Sequence, residues 1–337
     1  MSGDGKFCII RSLIHMSVFR SEGACTIRYA CYSDPMIKRI KVLLELSVVR
    51  LTALVALTAV LGYRLADVPD KNLASILAVS LGTALLSAGG NALNQCMEAD
   101  TDALMKRTCN RPLPAGRIAL GSAARWALFL ALGGFALLLL FTNPLTAGLG
   151  LLALAIYLFA YTPLKKRSSL NTVVGAVSGA LPPMMGWTAA SASLDLGAWI
   201  LGLLLFLWQI PHFLALAWLF REDYAKAGFR MLPGLDPSGR ITSRVAFLYI
   251  VLLLPLISGF YLSGLAGLVA TLGGLSLCLF FLLRAWQLMQ NPNARNARRL
   301  FLASVIFLPL LIVLLLADPG TGKPAERISP PAIVASH

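Results

Sequence analysis

LASILAVSLGTALLSAGGNALNQCMEADTD, residues 73–102, is an apolar run of membrane-spanning length that ends in a row of oxygen-bearing side chains. An α-helix of about 20 apolar residues crosses the hydrocarbon core of a bilayer. Where the run ends, Asn94, Glu98 and Asp102 stand four residues apart, so on a helix they share one face. Ionisable groups at membrane depth are costly and by default mark a functional site. The stretch therefore predicts a transmembrane helix that delivers a polar site to one edge of the membrane.

The three polar side chains of this row form a set of hard oxygen ligands. Mg²⁺ usually takes one or two carboxylates, several waters and the oxygens of a bound phosphate. Arg107 and Arg111, again four residues apart, are placed to reach the same phosphates. The alternative is a group of solvated residues at the end of a membrane helix, but the repeated spacing and the two arginines favour a site. We therefore predict that Asn94, Glu98 and Asp102 bind Mg²⁺ and that the arginines bind phosphate.

Long apolar segments recur along the whole chain. Of the 337 residues, 58% are hydrophobic and only 13% are charged, whereas a soluble domain averages about 25% charged residues. The pattern predicts an all-α polytopic membrane protein, with about nine transmembrane helices in one bundle around a cytoplasm-facing cavity. The predicted spans are residues 46–66, 73–93, 123–142, 145–162, 170–191, 197–219, 243–263, 265–284 and 299–317. Glycine pairs such as Gly133-Gly134 and Gly273-Gly274 predict close helix approach.

The basic residues collect in alternate loops between the predicted spans. Only Arg64, Lys71, Lys323 and Arg327 lie on the other side. The positive-inside rule then predicts a cytoplasmic N-terminus and a periplasmic C-terminus. The net charge of +14 does not indicate nucleic-acid binding, because aromatic residues lie within the spans and not among the basic clusters. The six cysteines contain no C-x-x-C pair, so neither a zinc site nor a disulfide framework is supported.

Three parts of the chain are expected. Residues 1–40 form an N-terminal tail, disordered or a wrongly extended start, with Met36 the more natural beginning. Residues 41–317 form the membrane domain, and residues 318–337 form a mobile C-terminal tail.

Three further polar positions can carry chemistry. Lys165 ends the fourth span, where it acts either as a topology signal that holds lipid headgroups or as a clamp for diphosphate. His212 lies inside the sixth span with Gln209 on nearly the same face, and it is either a hydrogen-bond partner between helices or a metal-binding or proton-moving group. Asp223 follows that span, as a loop salt bridge or as a second carboxylate site. If the helix persists, Asp223 shares a face with His212.

Oxygen ligands, a basic fringe and an apolar interior together suit a substrate that is a diphosphate with a hydrocarbon tail. Metal and basic groups stabilise the charge that develops on departing diphosphate. Exclusion of water protects the cation-like carbon until an electron-rich acceptor attacks it.

The motifs resemble those of the intramembrane prenyltransferase superfamily. Residues 94–102 are similar to its N-x-x-x-D/E-x-x-x-D motif. Four further stretches resemble its haem O synthase (protohaem IX farnesyltransferase) branch: Tyr161-Thr162-Pro163-Leu164-Lys165, Leu170 to Ala176, Trp208-Gln209-Ile210-Pro211-His212-Phe213, and Asp223-Tyr224 to Pro233. The likeness covers about residues 40–317.

The resemblance implies Mg²⁺-dependent transfer of a farnesyl group from farnesyl diphosphate to a vinyl group of haem B, giving haem O. It implies diphosphate and metal binding by Asn94, Glu98, Asp102 and Asp223, and a role for His212 in binding or orienting haem. The implied substrate-binding residues are Arg50, Arg107, Arg111, Tyr161, Lys165 and Gln209. It also implies a bacterial inner-membrane location among membrane lipid and links to haem A synthase or terminal oxidase assembly.

Two departures and two alternatives remain. Members commonly carry Lys-Pro-Arg where this chain has Val48-Val49-Arg50, and Ala227 stands four residues after Asp223 where a second carboxylate is expected. One alternative is a sister enzyme that prenylates an aromatic acid such as 4-hydroxybenzoate, which should lack the histidine of span six. The other is a membrane transporter, although the two halves show no obvious repeat.

Overall fold

The computed structural model describes residues 35–66, 68 and 72–320. Most of these residues lie in helices, which are joined by turns and short loops. Its long helices are α1 Pro35–Leu46, α2 Val49–Leu65, α3 Leu73–Met97, α4 Leu120–Phe141, α5 Pro144–Ala155, α6 Asn171–Ser191, α7 Leu196–Leu219, α8 Arg240–Leu262, α9 Leu268–Gln290 and α10 Ala294–Ala317. A π-helical turn, Ile156–Tyr161, and a short helix, Thr162–Leu164, extend α5. Other short helices are Ala99–Ala103, Arg221–Lys226 and Leu232–Leu235. The prediction of an all-α fold is confirmed.

Asparagine side chains begin three of the long helices. Asn72, Asn143 and Asn293 each accept a hydrogen bond from a backbone N–H two or three residues later, at the starts of α3, α5 and α10. Such caps satisfy donors that the first helical turn leaves without partners. Pro144 follows Asn143 in the first turn, where its missing N–H costs nothing.

The predicted count of nine spans is not confirmed. Among the described residues, seven helices are long and apolar enough to cross a membrane, and an eighth is added if Met36–Leu46 and Val49–Leu65, bent by 53° to each other, form one span. Each predicted span nevertheless coincides with a helix. Helix α6 is not among the seven. It is less apolar than they are, because it contains Pro182 and Pro183, several glycines, and polar residues such as Asn171, Thr172 and Thr188.

Helix α6 lies at the centre of the bundle, packed against α2, α5 and α7. The approach to α2 is so close that a Cβ atom added to Gly62 would collide with the Pro183 carbonyl oxygen, and one added to Gly186 would collide with the Ala59 carbonyl oxygen. Neighbouring helices thus cover α6, so it does not need an apolar surface for lipid.

The junction between α1 and α2 is fixed to α3 and α4. Val48 at the bend adopts a left-handed conformation with φ 48°, which is unfavourable for a β-branched residue. Gln95 donates a hydrogen bond to the Leu46 carbonyl, and the Trp126 indole donates one to the Ser47 hydroxyl. The bend is therefore fastened beside the Asn94 row.

Helix α1 begins at Pro35, ahead of the predicted boundary at residue 41. The predictions for residues 1–34 and 321–337 lie outside the described residues.

Candidate active site

The row of Asn94, Glu98 and Asp102 forms at a break between two helices. Helix α3 ends at Met97, and Glu98 has φ −109° and ψ 10° before the short helix Ala99–Ala103. The expectation of one continuous helix is therefore wrong at Glu98. The spacing still survives, because the Glu98 N–H donates to the Asn94 carbonyl (2.9 Å) and the Asp102 N–H donates to the Glu98 carbonyl (2.8 Å). The three side chains are all buried.

Glu98 is paired with Lys165. The Lys165 Nζ lies 2.9 Å from both Glu98 carboxylate oxygens, and both side chains are buried. The same Nζ lies 4.6 Å from the centre of the Tyr161 ring. A buried carboxylate needs such a partner, since removal of one member of a buried ion pair typically costs about 3–5 kcal/mol. Lys165 is thus buried in contact with the Asn94 row and does not lie at the lipid surface.

The two carboxylate oxygens of Asp102 differ in their hydrogen bonding. Arg111 Nη1 donates to Oδ2 at 2.7 Å. Oδ1 is buried and has no hydrogen-bond partner among the described residues. The residue is only 1% exposed, and a buried charged oxygen without a partner is costly. Such an atom in a folded protein calls for a ligand, a water or an ion.

The loops after α3, α5 and α7 meet around this row. The Asn94 amide donates to the Thr162 hydroxyl at 2.9 Å, which fixes the end of the α5 extension. Arg107 donates to the Tyr224 hydroxyl at 3.1 Å, and its guanidinium lies 5.0 Å from the Phe220 ring centre. The Arg230 N–H donates to the Lys165 carbonyl at 2.7 Å. The structure therefore brings the predicted residues of all three loops to one end of the bundle.

Asp223 lies in the short helix Arg221–Lys226 of the third loop, next to Tyr224, and is half-buried. No group of three or more His, Cys, Asp or Glu side chains close enough to hold one metal ion occurs in the described part of the chain. Asp223 therefore does not form a three-carboxylate cluster with Glu98 and Asp102. Helix α7 ends at Leu219, and Phe220 has φ −114°, so the helix does not persist from His212 to Asp223 as the shared face required.

The acidic row fits Mg²⁺ by its donor chemistry. Asp102 Oδ1 is an unpartnered carboxylate oxygen, Glu98 supplies a second carboxylate, and the Asn94 side chain carries an amide oxygen. One or two carboxylates, completed by waters and phosphate oxygens, is the usual protein environment of this ion. Arg111 and Lys165 bond directly to Asp102 and Glu98, and guanidinium and ammonium groups are suitable donors to phosphate oxygens.

A cavity of about 370 Å³ lies in the bundle beside this row. Its walls come from α2, α3, the α5 extension, α6, α7 and α10, and most of the lining side chains are apolar. Thr83, a wall residue, stands eleven positions before Asn94 on α3, about 16 Å along a helix axis. The volume lies within the range of about 300–1,000 Å³ typical of ligand pockets. The site thus combines a charged rim with an apolar interior.

Two stacked tyrosines lie where the row meets the cavity. Tyr157 and Tyr161 line the cavity from the π-helical turn, with ring centres 5.6 Å apart. The Tyr157 hydroxyl donates to Asn91 Oδ1 at 3.4 Å, and Asn91 Nδ2 is buried without a partner among the described residues. Single π-helical turns in membrane and soluble proteins are frequent at functional sites.

His212 and Gln209 line the same cavity from α7. His212 Nδ1 lies 2.8 Å from the Ser304 hydroxyl of α10. The imidazole stacks on Trp208, with ring centres 5.0 Å apart, and it lies 5.0 Å from the Phe301 ring centre. His212 thus forms the hydrogen bond between helices that one interpretation expects, and it also lines the cavity. Its role as a metal-binding or proton-moving group stays a prediction.

Arg50 lies in the first turn of α2 and is exposed; the next residue, Leu51, lines the cavity. Sequence reasoning missed Asn91, Tyr157 and Ser304. Asn91 and Tyr157 each had a signal, since they stand one helical turn before Asn94 and Tyr161. Ser304 had one as well, because it is the single polar residue between Arg299 and Asp318.

Comparison with known proteins gives consistent matches. A model described as the UbiA prenyltransferase family matches residues 55–311. A protoheme IX farnesyltransferase of Solibacter usitatus is 39% identical over 287 residues, covering 82% of this chain and 98% of the relative. One of Opitutus terrae is 41% identical over 285 residues, covering 82% and 93%.

Solved structures match the fold. A structure described as digeranylgeranylglyceryl phosphate synthase has a TM-score of 0.69 at 20% identity and covers 83% of this chain and 98% of its own. A UbiA homolog from Archaeoglobus fulgidus, bound to GPP and Mg²⁺, has a TM-score of 0.61 at 16% identity, with coverage of 82% and 99%.

Proposed function

The chain belongs to the UbiA prenyltransferase family, and from that premise we propose that it transfers a farnesyl group from farnesyl diphosphate to a vinyl group of haem B. The chain is a multi-pass membrane prenyltransferase. The observation that carries the proposal is the charged row at one end of an apolar cavity whose wall holds His212. Relatives named for this reaction align over nearly their whole length.

In the proposed reaction the bond between the farnesyl C1 and the diphosphate oxygen breaks, and the electron pair leaves with diphosphate. The vinyl group attacks C1, water adds to the resulting cation next to the porphyrin ring, and one proton is released. Haem O and diphosphate are the products. The cavity walls exclude other water and so protect the cation-like carbon from early hydrolysis.

The chain's own residues have distinct proposed roles. Asn94, Glu98 and Asp102 would hold Mg²⁺, which supplies charge neutralisation at the leaving diphosphate. Asp223, in the third loop, would supply a second and separate carboxylate for metal binding. The cations Arg107, Arg111 and Lys165 would bind phosphate oxygens. The two stacked tyrosines, Tyr157 and Tyr161, would lie beside the first isoprene unit. The faces of their rings would stabilise the positive charge that develops on its C1.

The proposed location is a bacterial inner membrane, with the charged loops on the cytoplasmic side and the product passed to haem A synthase or terminal oxidase assembly. The distribution of basic residues supports this orientation.

The test is a transfer assay with detergent-purified full-length protein, farnesyl diphosphate, haem B and Mg²⁺. We expect a more apolar haem on chromatography, with the mass of haem O. Prenylated 4-hydroxybenzoate with unchanged haem would instead identify the sister enzyme. Absence of any turnover, with substrate movement only in sealed vesicles, would identify a transporter.

A further inference from the structure

The environment of His212 determines which of its ring nitrogens carries the hydrogen. The Ser304 hydroxyl oxygen lies 2.6 Å from the Phe301 carbonyl oxygen. Two oxygens at this distance must share a hydrogen, and only the serine has one to give. The single hydroxyl hydrogen of Ser304 is therefore committed to Phe301.

The contact between Ser304 and His212 then has one possible polarity. The 2.8 Å separation of Nδ1 and Oγ is a hydrogen-bond distance. Since the serine hydrogen is already in use, the hydrogen in this contact comes from Nδ1. A neutral imidazole with Nδ1–H carries its lone pair on Nε2.

Other contacts keep the ring in place. Ser304 is fully buried, and its backbone carbonyl accepts a hydrogen bond from the Trp208 indole at 2.9 Å. Trp208 in turn stacks on the imidazole. Nε2 makes no hydrogen bond with the described residues, and His212 lines the cavity.

We propose that Ser304 is a positioning residue that holds His212 in the Nδ1–H tautomer, so that Nε2 ligates the iron of a metalloporphyrin in the cavity. The inference rests on the proposed function and deepens it by naming the contact between chain and acceptor. A hydrogen bond to the far nitrogen is the usual way in which a protein orients an imidazole ligand and raises its basicity.

The test titrates purified full-length protein in detergent with two probes, ferric protohaem and iron-free protoporphyrin IX. Ser304→Ala should weaken protohaem binding about 10-fold, the lower end of the effect of losing such a partner. Binding of iron-free protoporphyrin IX should not change, because it has no iron to ligate. The matched control is Ser258→Ala, since the Ser258 hydroxyl also donates to a carbonyl of its own helix, that of Leu254, but does not bond to His212.

Resonance Raman and electron paramagnetic resonance spectra supply a second readout on the wild type itself. We expect a histidine–iron signature that is lost in His212→Ala and weakened in Ser304→Ala. Equal weakening of both probes by Ser304→Ala, or a wild type that farnesylates haem without a histidine–iron signature, would overturn the inference and leave the proposed function standing. Failure of the wild type to farnesylate haem would instead overturn the proposed function.

Discussion

At the scale of single residues, Asp102 shows how the site differs from a structural ion pair. Arg111 satisfies one of its oxygens, and the other stays buried without a partner. A pair that served stability alone would gain from satisfying both oxygens. The half-satisfied carboxylate is better explained by a ligand that arrives from outside the chain.

Asp102→Asn should lower the rate of prenyl transfer by about 100-fold, a typical effect of removing one charge-stabilising group. The substitution keeps the size of the side chain and removes the charge. The measurement is the initial rate of haem O formation across a Mg²⁺ titration. Asp100→Asn is the control, because Asp100 stands two positions earlier in the same short helix and is exposed. Similar rates in both variants would argue against a metal role for Asp102.

The four-residue spacing of Asn94, Glu98 and Asp102 is evident in the sequence, and backbone hydrogen bonds between these residues keep it across the helix break at Glu98. The ion pair of Glu98 with Lys165 could not be predicted from the sequence, because 67 positions separate the two residues. Pairwise spacing identifies neighbours one turn apart, whereas contacts between helices depend on how the whole bundle packs. Ser304 illustrates this limit, since its partner lies 92 positions away.

At the scale of helices, α3 and α4 show how closely the bundle is packed. Sequence reasoning treated Gly133 and Gly134 alike, but the structure separates them. A Cβ on Gly134 would lie 2.6 Å from the Leu86 backbone nitrogen, whereas one on Gly133 would meet nothing within 4 Å. Only Gly134 faces the neighbouring helix, so only its missing side chain permits the approach.

Gly134→Ala should destabilise the protein by about 1–3 kcal/mol, because the backbone of α3 must shift to make room. Gly133→Ala should be neutral or stabilising by up to about 1 kcal/mol, since alanine favours helix over glycine. Thermal unfolding midpoints in one detergent compare the two variants. A lower midpoint for Gly133→Ala than for Gly134→Ala would contradict the packing described here.

The loop that enters α8 is held by Asp236. Burial raises the pKa of its carboxyl, but hydrogen bonds from the Thr242 N–H and from the Ser238 and Thr242 hydroxyls outweigh burial, so the pKa lies below its ordinary value. A lowered folded pKa gives stability that is present above the unfolded value of about 3.9 and is lost as the pH falls through the folded value.

Asp236→Asn should therefore destabilise the protein at pH 7, by about 1–3 kcal/mol for hydrogen bonds to a charged group. The difference from wild type should shrink as the pH falls below about 4. Unfolding midpoints measured from pH 3 to 7 test this dependence. Asp195→Asn is the control, because Asp195 is exposed and its carboxylate accepts one hydrogen bond, from the Ser193 hydroxyl. A difference that does not change with pH would count against the charged form of Asp236.

At the scale of the whole molecule, hydropathy located the helices and miscounted those apolar enough to span. Helices that face lipid must be apolar, and these were evident from sequence. Helix α6 faces other helices on several sides, so its buried Asn171 and Thr188 find partners within the protein. The apolar composition of a helix indicates that it faces lipid. It does not give the number of helices in the bundle, because a helix covered by its neighbours can be more polar.

Cysteines placed at the two ends of the bundle should react with a membrane-impermeant reagent from opposite sides of the membrane. Lys106→Cys lies in the charged loop after α3, and Ser193→Cys lies in the loop between α6 and α7; both positions are exposed. In a background without reactive cysteines, a membrane-impermeant maleimide should label position 193 in intact spheroplasts and position 106 only in inverted vesicles. The opposite result would reverse the proposed orientation.

The pairing of Lys165 with Glu98 and of Arg111 with Asp102 has a consequence for the order of events at the rim. Lys165 can bind an incoming anion only by leaving Glu98, and the two Glu98 oxygens can accept a divalent ion only once Lys165 has left. Asp102 already has one oxygen without a partner, and its second oxygen becomes available when Arg111 moves to the anion. Pyrophosphate that binds Lys165 without metal would leave Glu98 without a counter-charge, and metal that binds Glu98 without pyrophosphate would leave Lys165 without one. The two ions should therefore be strongly synergistic in equilibrium binding, each tightening the hold on the other.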